Sequence, residues 1–550
     1  MNHVWIRGLG RQVRWTVGAL LVSAAAATHT LFATAEDPAL RFEVSFPASA
    51  HAEPITGRVF VMLSRTNQQE PRFQIGRTGV PFFGRDVEAL APGEVAVIDA
   101  TDLGSPVEIL TDLPAGTYYM QAMVNVYSEF RRADGHVVWM HDDRWEGQDW
   151  QRSPGNLYGD VEVVTIDPKK GGVVRLEADH VIPDIEVPPD TQWVKRFTFQ
   201  SQSLTEFWGR PIYLGATVLL PAGYDQATTR YPVLYHQGHF SLRAPLEFEP
   251  GNEQYTEWVR PEFPRMIVVT FQHPNPYFDD SYAVNSANVG PYGDALLQEL
   301  IPAVERRFRV IGEPWARLLS GGSTGGWEAL AIQIFNPDFF GGTWAYCPDP
   351  VTFSNVEGIN IYKDSNAYFK QHEWRTVPTP NTRETNGELR LTSRQRNYFE
   401  LVNGTRGRSG EQFDIWSAVF GPVGDDGYFE PLFDKLTGEI NQEVAAHWRE
   451  NYDLLYYLQR NWAEIGPKLA GKLHIYTGTM DNFYLDVAIR KLEAWMKTTV
   501  DPHDPGLFMY GDGKGHCWQG PVTTAERLIE MAQYIVRRKP PEATTPWWRY

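Results

Sequence analysis

Cysteine is almost missing from this chain. Only Cys347 and Cys517 occur in 550 residues, and no C-x-x-C is present. A zinc–thiolate centre is therefore not expected, and at most one intrachain disulfide can form. Basic residues are also short. Lys and Arg number 50 against 68 Asp and Glu, a formal charge of −18. Nucleic acid and anionic membranes attract basic surfaces, so neither is expected as a partner. No internal repeat is evident, which excludes a propeller-type architecture. The apolar run Trp15–Ala27 falls short of the ~20 residues of a membrane span. It follows Arg7, Arg11 and Arg14 and precedes Ala33-Thr34-Ala35, so residues 1–35 read as a removable export signal. A membrane anchor is the alternative. A periplasmic or secreted protein with no membrane span after processing is the expectation.

What is abundant is aromatic: 19 Trp, 25 Tyr and 29 Phe, enough to fill a large core and still line a cleft. The chain exceeds the size of one ordinary core, and its pattern changes midway. Residues 36–180 carry short runs such as GRVFVML, TYYMQAMVNVY and VEVVTI, separated by Gly, Pro, Asp and Asn. This is the pattern of an all-β, sandwich-like domain. The loop HDDRWEGQDWQRSPGNLYGD is expected to pack on a neighbouring domain, with sugar binding as the alternative. Residues 181–193 hold three Pro and read as a linker. From 194 to 550 strand-like runs alternate with helical ones, which predicts an α/β domain built on a mostly parallel sheet. Residues 351–470 interrupt the alternation as a cap-like insertion, with one long helix over EVAAHWRENYDLLYYLQRNWAEIG.

The motif that carries chemistry is Gly321-Gly322-Ser323-Thr324-Gly325-Gly326, placed between the apolar run ARLLS and the helical run GGWEALAIQIF. A serine on a tight strand-to-helix turn needs glycine beside it for steric reasons and is lifted clear of the sheet. The helix N-terminus behind it can stabilise a developing oxyanion. Such a serine needs a base and an orienting acid. Asp481, after KLHIYTG, and His516, after GLFMYG, supply them in chain order. Asp486 and Asp512 are rival acids. The oxyanion hole is expected from the backbone N–H groups of His239 and Thr324. His236 and His239 could alternatively be read as a metal pair, but no third ligand lies nearby in sequence. No cofactor and no metal is expected. Trp327, Trp344 and Trp518 suit a sugar or aryl group, or simply the core.

The segments GATVLLPAGYD, YPVLYHQGHF, YGDALLQELIPAVERRFRV, SGGSTGGWEAL, GTMDNFYL and GHCW resemble the esterase family that includes esterase D, enterochelin esterase-like proteins, feruloyl and acetylxylan esterases and mycolyltransferases. The resemblance covers about 194 to 540. It implies an α/β-hydrolase catalytic domain, here preceded by the all-β domain, and hydrolysis of a small-molecule or carbohydrate-linked ester through a Ser–His–Asp triad. Two positions depart from the family pattern: Gln237 where His is usual, and Thr324 where Met is frequent. Acyl transfer to a sugar or alcohol uses the same triad and is the alternative activity. An inert binding protein or a peptidase are further readings, disfavoured by the intact triad and the short β-rich prefix.

Cys347 and Cys517 are both expected at carboxyl ends of strands, with one strand between them. Next-but-one strands lie about 9–10 Å apart, whereas a bridge needs Cα atoms within roughly 7 Å. Two buried thiols are the expectation and a disulfide the alternative.

Overall fold

Alternating apolar strands and helices beyond residue 194 assemble into one eight-stranded sheet. Its strands run in the order Val194–Ser201, Ile212–Leu219, Ile267–Gln272, Val233–Gln237, Arg317–Gly322, Gly342–Tyr346, Leu473–Gly478 and Leu507–Gly511. The first two pair antiparallel, and Ile212–Leu219 is also antiparallel to Ile267–Gln272. Every later pairing is parallel. In this computed structural model residues 39–548 are described; the expected export signal lies outside them. Central strands such as Ile267–Gln272 and Gly342–Tyr346 are buried at every position, as a sheet covered on both faces requires. The helix Thr324–Phe335 is buried along all but its last residue. Outer helices are amphipathic instead. Thr524–Arg538 buries Leu528, Met531 and Ile535 and starts on a Thr523–Glu526 capping box.

The β-rich half forms a second core. A three-stranded sheet, with Arg41–Ser45 between Val173–Glu177 and Ala96–Ile98, lies against a larger sheet containing Ile55–Ser64, Phe82–Leu90 and Gly116–Val126. Alternation along Ile55–Ser64 sends Val59, Val61 and Leu63 into this core. Phe60 and Met62 point the other way, yet they are also buried, with Phe82, Trp150, Phe399 and Val402. The second face is thus covered by the helix Ser393–Asn403 of the insertion. Polar links reinforce the contact. Arg58 donates to the Val402 carbonyl at 2.9 Å and to Asp86 at 2.7 Å, and Arg408 reaches Asp86 at 2.8 Å. Arg394 forks onto Glu108 at 2.5 and 2.8 Å. Pro38–Tyr550 forms one compact unit.

The insertion between Tyr346 and Leu473 comprises the hairpins Phe369–His372/Arg375–Pro378 and Pro380–Arg383/Leu389–Thr392, followed by four helices. The single long helix expected near its end is two, Gln442–Tyr452 and Leu454–Leu469. Asp453 breaks it: its backbone is extended (φ −69°, ψ 106°) and its side chain accepts the Tyr456 N–H as a cap. Apolar periodicity continues through that residue, so the pattern alone could not reveal the break.

Candidate active site

A single residue, Ser323, joins the strand Arg317–Gly322 to the helix Thr324–Phe335. Its backbone is at φ 55°, ψ −122°, a costly conformation for a side chain and one that concentrates at functional positions. The flanking glycines are steric necessities. A Cβ on Gly321 would lie 2.3 Å from the Gly325 carbonyl oxygen, and one on Gly325 would lie 2.2 Å from that of Gln237.

The three residues expected to work together meet. Ser323 Oγ is 3.0 Å from His516 Nε2, and His516 Nδ1 is 2.8 Å from Asp481 Oδ2. Asp481 is fully buried, and its other oxygen accepts the N–H groups of Phe483 and Leu485 at 2.9 and 3.2 Å. A carboxylate so fixed keeps the proton on Nδ1 and leaves Nε2 free to accept one from serine. Asn482 steadies the histidine by accepting its backbone N–H at 2.9 Å. The rival acids sit elsewhere. Asp486 pairs with Arg383 and Arg490, and Asp512 lies 3.5 Å from the Thr479 hydroxyl.

Asp349 was not foreseen. Its Oδ1 lies 3.4 Å from Ser323 Oγ, on a buried carboxyl that also accepts from Tyr282 at 2.6 Å, Thr324 at 3.2 Å and Gln412 at 3.2 Å. Burial pushes its pKa up, against the Tyr282 hydrogen bond. Trp416 donates to the same Tyr282 hydroxyl at 2.6 Å. Gln412 and Trp416 belong to the insertion, which therefore reaches the groups around Asp349 beside Ser323. The available signal was an acid immediately beyond the strand Gly342–Tyr346.

The proposed oxyanion donors border the same turn. Thr324 opens the helix, where the first N–H groups have no intrahelical partner. A Cβ on Gly325 would fall 2.7 Å from the Gly238 nitrogen, so the Gly238–His239 backbone abuts that helix turn. Gln272 holds the loop by bonding the Ser241 N–H and carbonyl at 3.0 and 2.7 Å. Phe240 packs edge-on against Trp145 of the long loop of the β-rich half. His236 and His239 do not converge. His236 bonds Ser320 at 2.9 Å, and burial pulls it down to about 4. His239 sits between Asp279 and Asp280 at 3.0 and 3.1 Å, and the Asp279 charge raises it well above its ordinary value.

Cys347 and Cys517 form a disulfide with Cα atoms 4.9 Å apart, contrary to the expectation of two thiols. The strand Leu473–Gly478 does lie between their strands, but Cys517 stands beyond the strand end, in a loop that folds back. The Lys514 and Gly515 carbonyls press against Gly478, where a Cβ would meet them at 2.1 and 2.3 Å. A glycine at that strand end lets the loop cross over. The bridge lies beneath the reacting groups: Cys347 Sγ is 3.3 Å from the Ser323 nitrogen and 3.9 Å from His516 Nε2. Of the three tryptophans, Trp327 packs on Tyr282 and Phe420, and Trp344 stacks on His474; both are core. Beside His516 opens a cavity of about 460 Å³, lined in part by Phe483, Leu391, Arg77 and Arg390.

Residues 213–391 match the family model described as Putative esterase. This segment is about a third of the chain, and over it the chain is similar to the Putative esterase family. The matched segment contains Ser323 and ends before Asp481 and His516. A curated relative, an endo-1,4-beta-xylanase/feruloyl esterase of Xylanibacter ruminicola, is 26% identical over 156 residues. The match covers 27% of this chain and 20% of the relative, so the chain spans about one fifth of that protein's length. Among solved structures, a ferulic acid esterase is 17% identical with a TM-score of 0.37, covering 62% of this chain and 97% of that one. An S-formylglutathione hydrolase from Agrobacterium tumefaciens is 13% identical with a TM-score of 0.34, covering 64% and 98%.

Proposed function

We propose that the chain is an exported serine carboxylic ester hydrolase of the α/β-hydrolase fold, with residues 1–35 as leader, 36–180 as a β-sandwich-like domain and 194–550 as the catalytic part. The observation that carries the reading is the continuous hydrogen-bonded line from Ser323 Oγ through His516 to buried Asp481. As Oγ bonds the ester carbonyl carbon, His516 Nε2 takes its proton. The carbonyl electron pair moves onto oxygen, where the N–H groups of Thr324 and His239 receive it. Collapse breaks the bond to the alcohol, which leaves with the proton from His516 and yields an acyl-Ser323. Water, deprotonated by the same imidazole, releases the acid and restores the serine. Feruloyl esters are the first substrates to try, because the curated relative's name includes that activity.

A fluorophosphonate should label Ser323 and abolish ester turnover, and Ser323→Ala should lose both the label and the activity. Turnover undiminished in Ser323→Ala contradicts the assignment.

A further inference from the structure

The cavity beside His516 is walled by three arginines, and none of its lining residues is acidic. The whole chain carries a formal charge of −18, so this cationic concavity opposes the overall field at the point where chemistry is read. Arg77 comes from the β-rich half. Arg383 and Arg390 come from the hairpin Pro380–Arg383/Leu389–Thr392. Arg383 is committed to structure: it donates to the Asp481 carbonyl at 2.9 Å and to Asp486 at 3.2 Å. The other two are loosely held. Arg77 is 3.4 Å from Glu411, a carboxylate it shares with Arg396 at 3.0 Å. Arg390 is 3.6 Å from Glu384, and its side chain is 57% exposed. Close charge-assisted bonds run at about 2.7–2.9 Å, so both guanidinium groups can turn to a better anion. Elsewhere the wall combines the polar Thr78, Thr382 and Asn482 with an apolar side made of Leu391 and the Phe483 ring, which meets the His516 ring edge-on at 4.8 Å.

We propose that this cavity seats an anionic group of the substrate, a carboxylate or phosphate carried a few atoms from the scissile ester, with Arg77 and Arg390 as its ligands. The proposal rests on Ser323 being the nucleophile of an ester hydrolase. Planar guanidinium groups match both oxyanions with paired N–H donors. A cleft lined by one sign also draws the oppositely charged ester in from solution. The Leu391 and Phe483 side of the cavity fits the aryl or alkyl portion that joins the anion to the ester.

The test compares kcat/KM for 4-acetoxybenzoate and for 4-acetoxyphenyl phosphate with that for the neutral methyl 4-acetoxybenzoate. Comparing each anionic-to-neutral ratio between wild type and variants cancels intrinsic differences between leaving groups. Arg77→Ala/Arg390→Ala should lower the ratio roughly tenfold or more, the loss expected for a charged hydrogen-bonding partner. The anion whose ratio falls further is the one the site is built for. Arg390→Glu, at a largely exposed side chain, should lower it in the same direction. In wild type alone, added salt should narrow the ratio by screening. Turnover of all esters with a ratio unmoved by either variant and by salt overturns the proposal while the nucleophile assignment holds. No turnover of any ester, with Ser323 unlabelled by a fluorophosphonate, overturns both.

Discussion

Asp481 is the residue whose role is easiest to separate from its rivals. It alone among the nearby acids bonds His516, at 2.8 Å, while Asp486 is bound to arginines. Asp481→Asn should therefore lower kcat by about 10³–10⁴-fold through loss of the working tautomer. Asp486→Asn should leave kcat within a few-fold; a larger loss there than at Asp481 contradicts the triad. His239 gives a pH signature. Its raised pKa means that its pairing with Asp279 and Asp280 stabilises the fold fully below the ordinary histidine range and ceases to do so as pH rises through the elevated value. Its ring is nearly half exposed, so solvent weakens the effect. The melting-temperature gap between wild type and His239→Gln should be widest at mildly acidic pH and close towards alkaline pH. A gap that widens with pH reverses the sign and contradicts the ion pair. Ser323, His516 and Asp481 could be singled out in sequence because each follows an apolar strand run and stands in a distinctive turn. Asp349 was not, since an acid in a Pro-rich turn carries no mark of the Tyr282, Thr324 and Gln412 groups that gather on it only in three dimensions.

At the scale of elements, the disulfide joins the histidine loop to the strand after the nucleophile helix and thereby couples stability to geometry. It spans 170 residues, and by chain entropy its loss should cost roughly 3–5 kcal/mol. Cys347→Ser/Cys517→Ser should melt at lower temperature and also show lower kcat, because Cys517 adjoins His516. Unchanged melting and unchanged kcat would show that the bridge does neither. The bridge defeated reasoning from strand spacing because the deciding feature is a loop path over Gly478, which neither periodicity nor strand count encodes. The strands and helices around it were legible for the opposite reason. Runs such as RMIVVTF and TGGWEALAIQIF are mostly apolar, as elements of a doubly covered sheet are expected to be. The break at Asp453 was hidden because the cap is a single polar residue within a continuing apolar stripe.

Over the whole molecule, the β-rich half, the insertion and the eight-stranded sheet share surfaces that a linear reading treats as separate. The run GRVFVML is apolar at successive positions because one face meets the core of the β-rich part and the other meets Phe399 and Val402 of the insertion. A chain beginning at residue 194 would expose Phe399 and Val402 and leave Arg394 and Arg408 without their partners Glu108 and Asp86. It should therefore aggregate or melt far below the full protein in a thermal scan. A soluble, active 194–550 fragment would show that the β-rich half is dispensable. The catalytic expectations depend on Ser323 becoming acylated during turnover. The most direct measurement is intact-mass and peptide analysis of the protein quenched early in reaction with an activated aryl ester. One acyl group on the peptide containing Ser323, absent in Ser323→Ala, is the predicted result; turnover with no acyl group on that serine, or with one on another residue, would contradict the account.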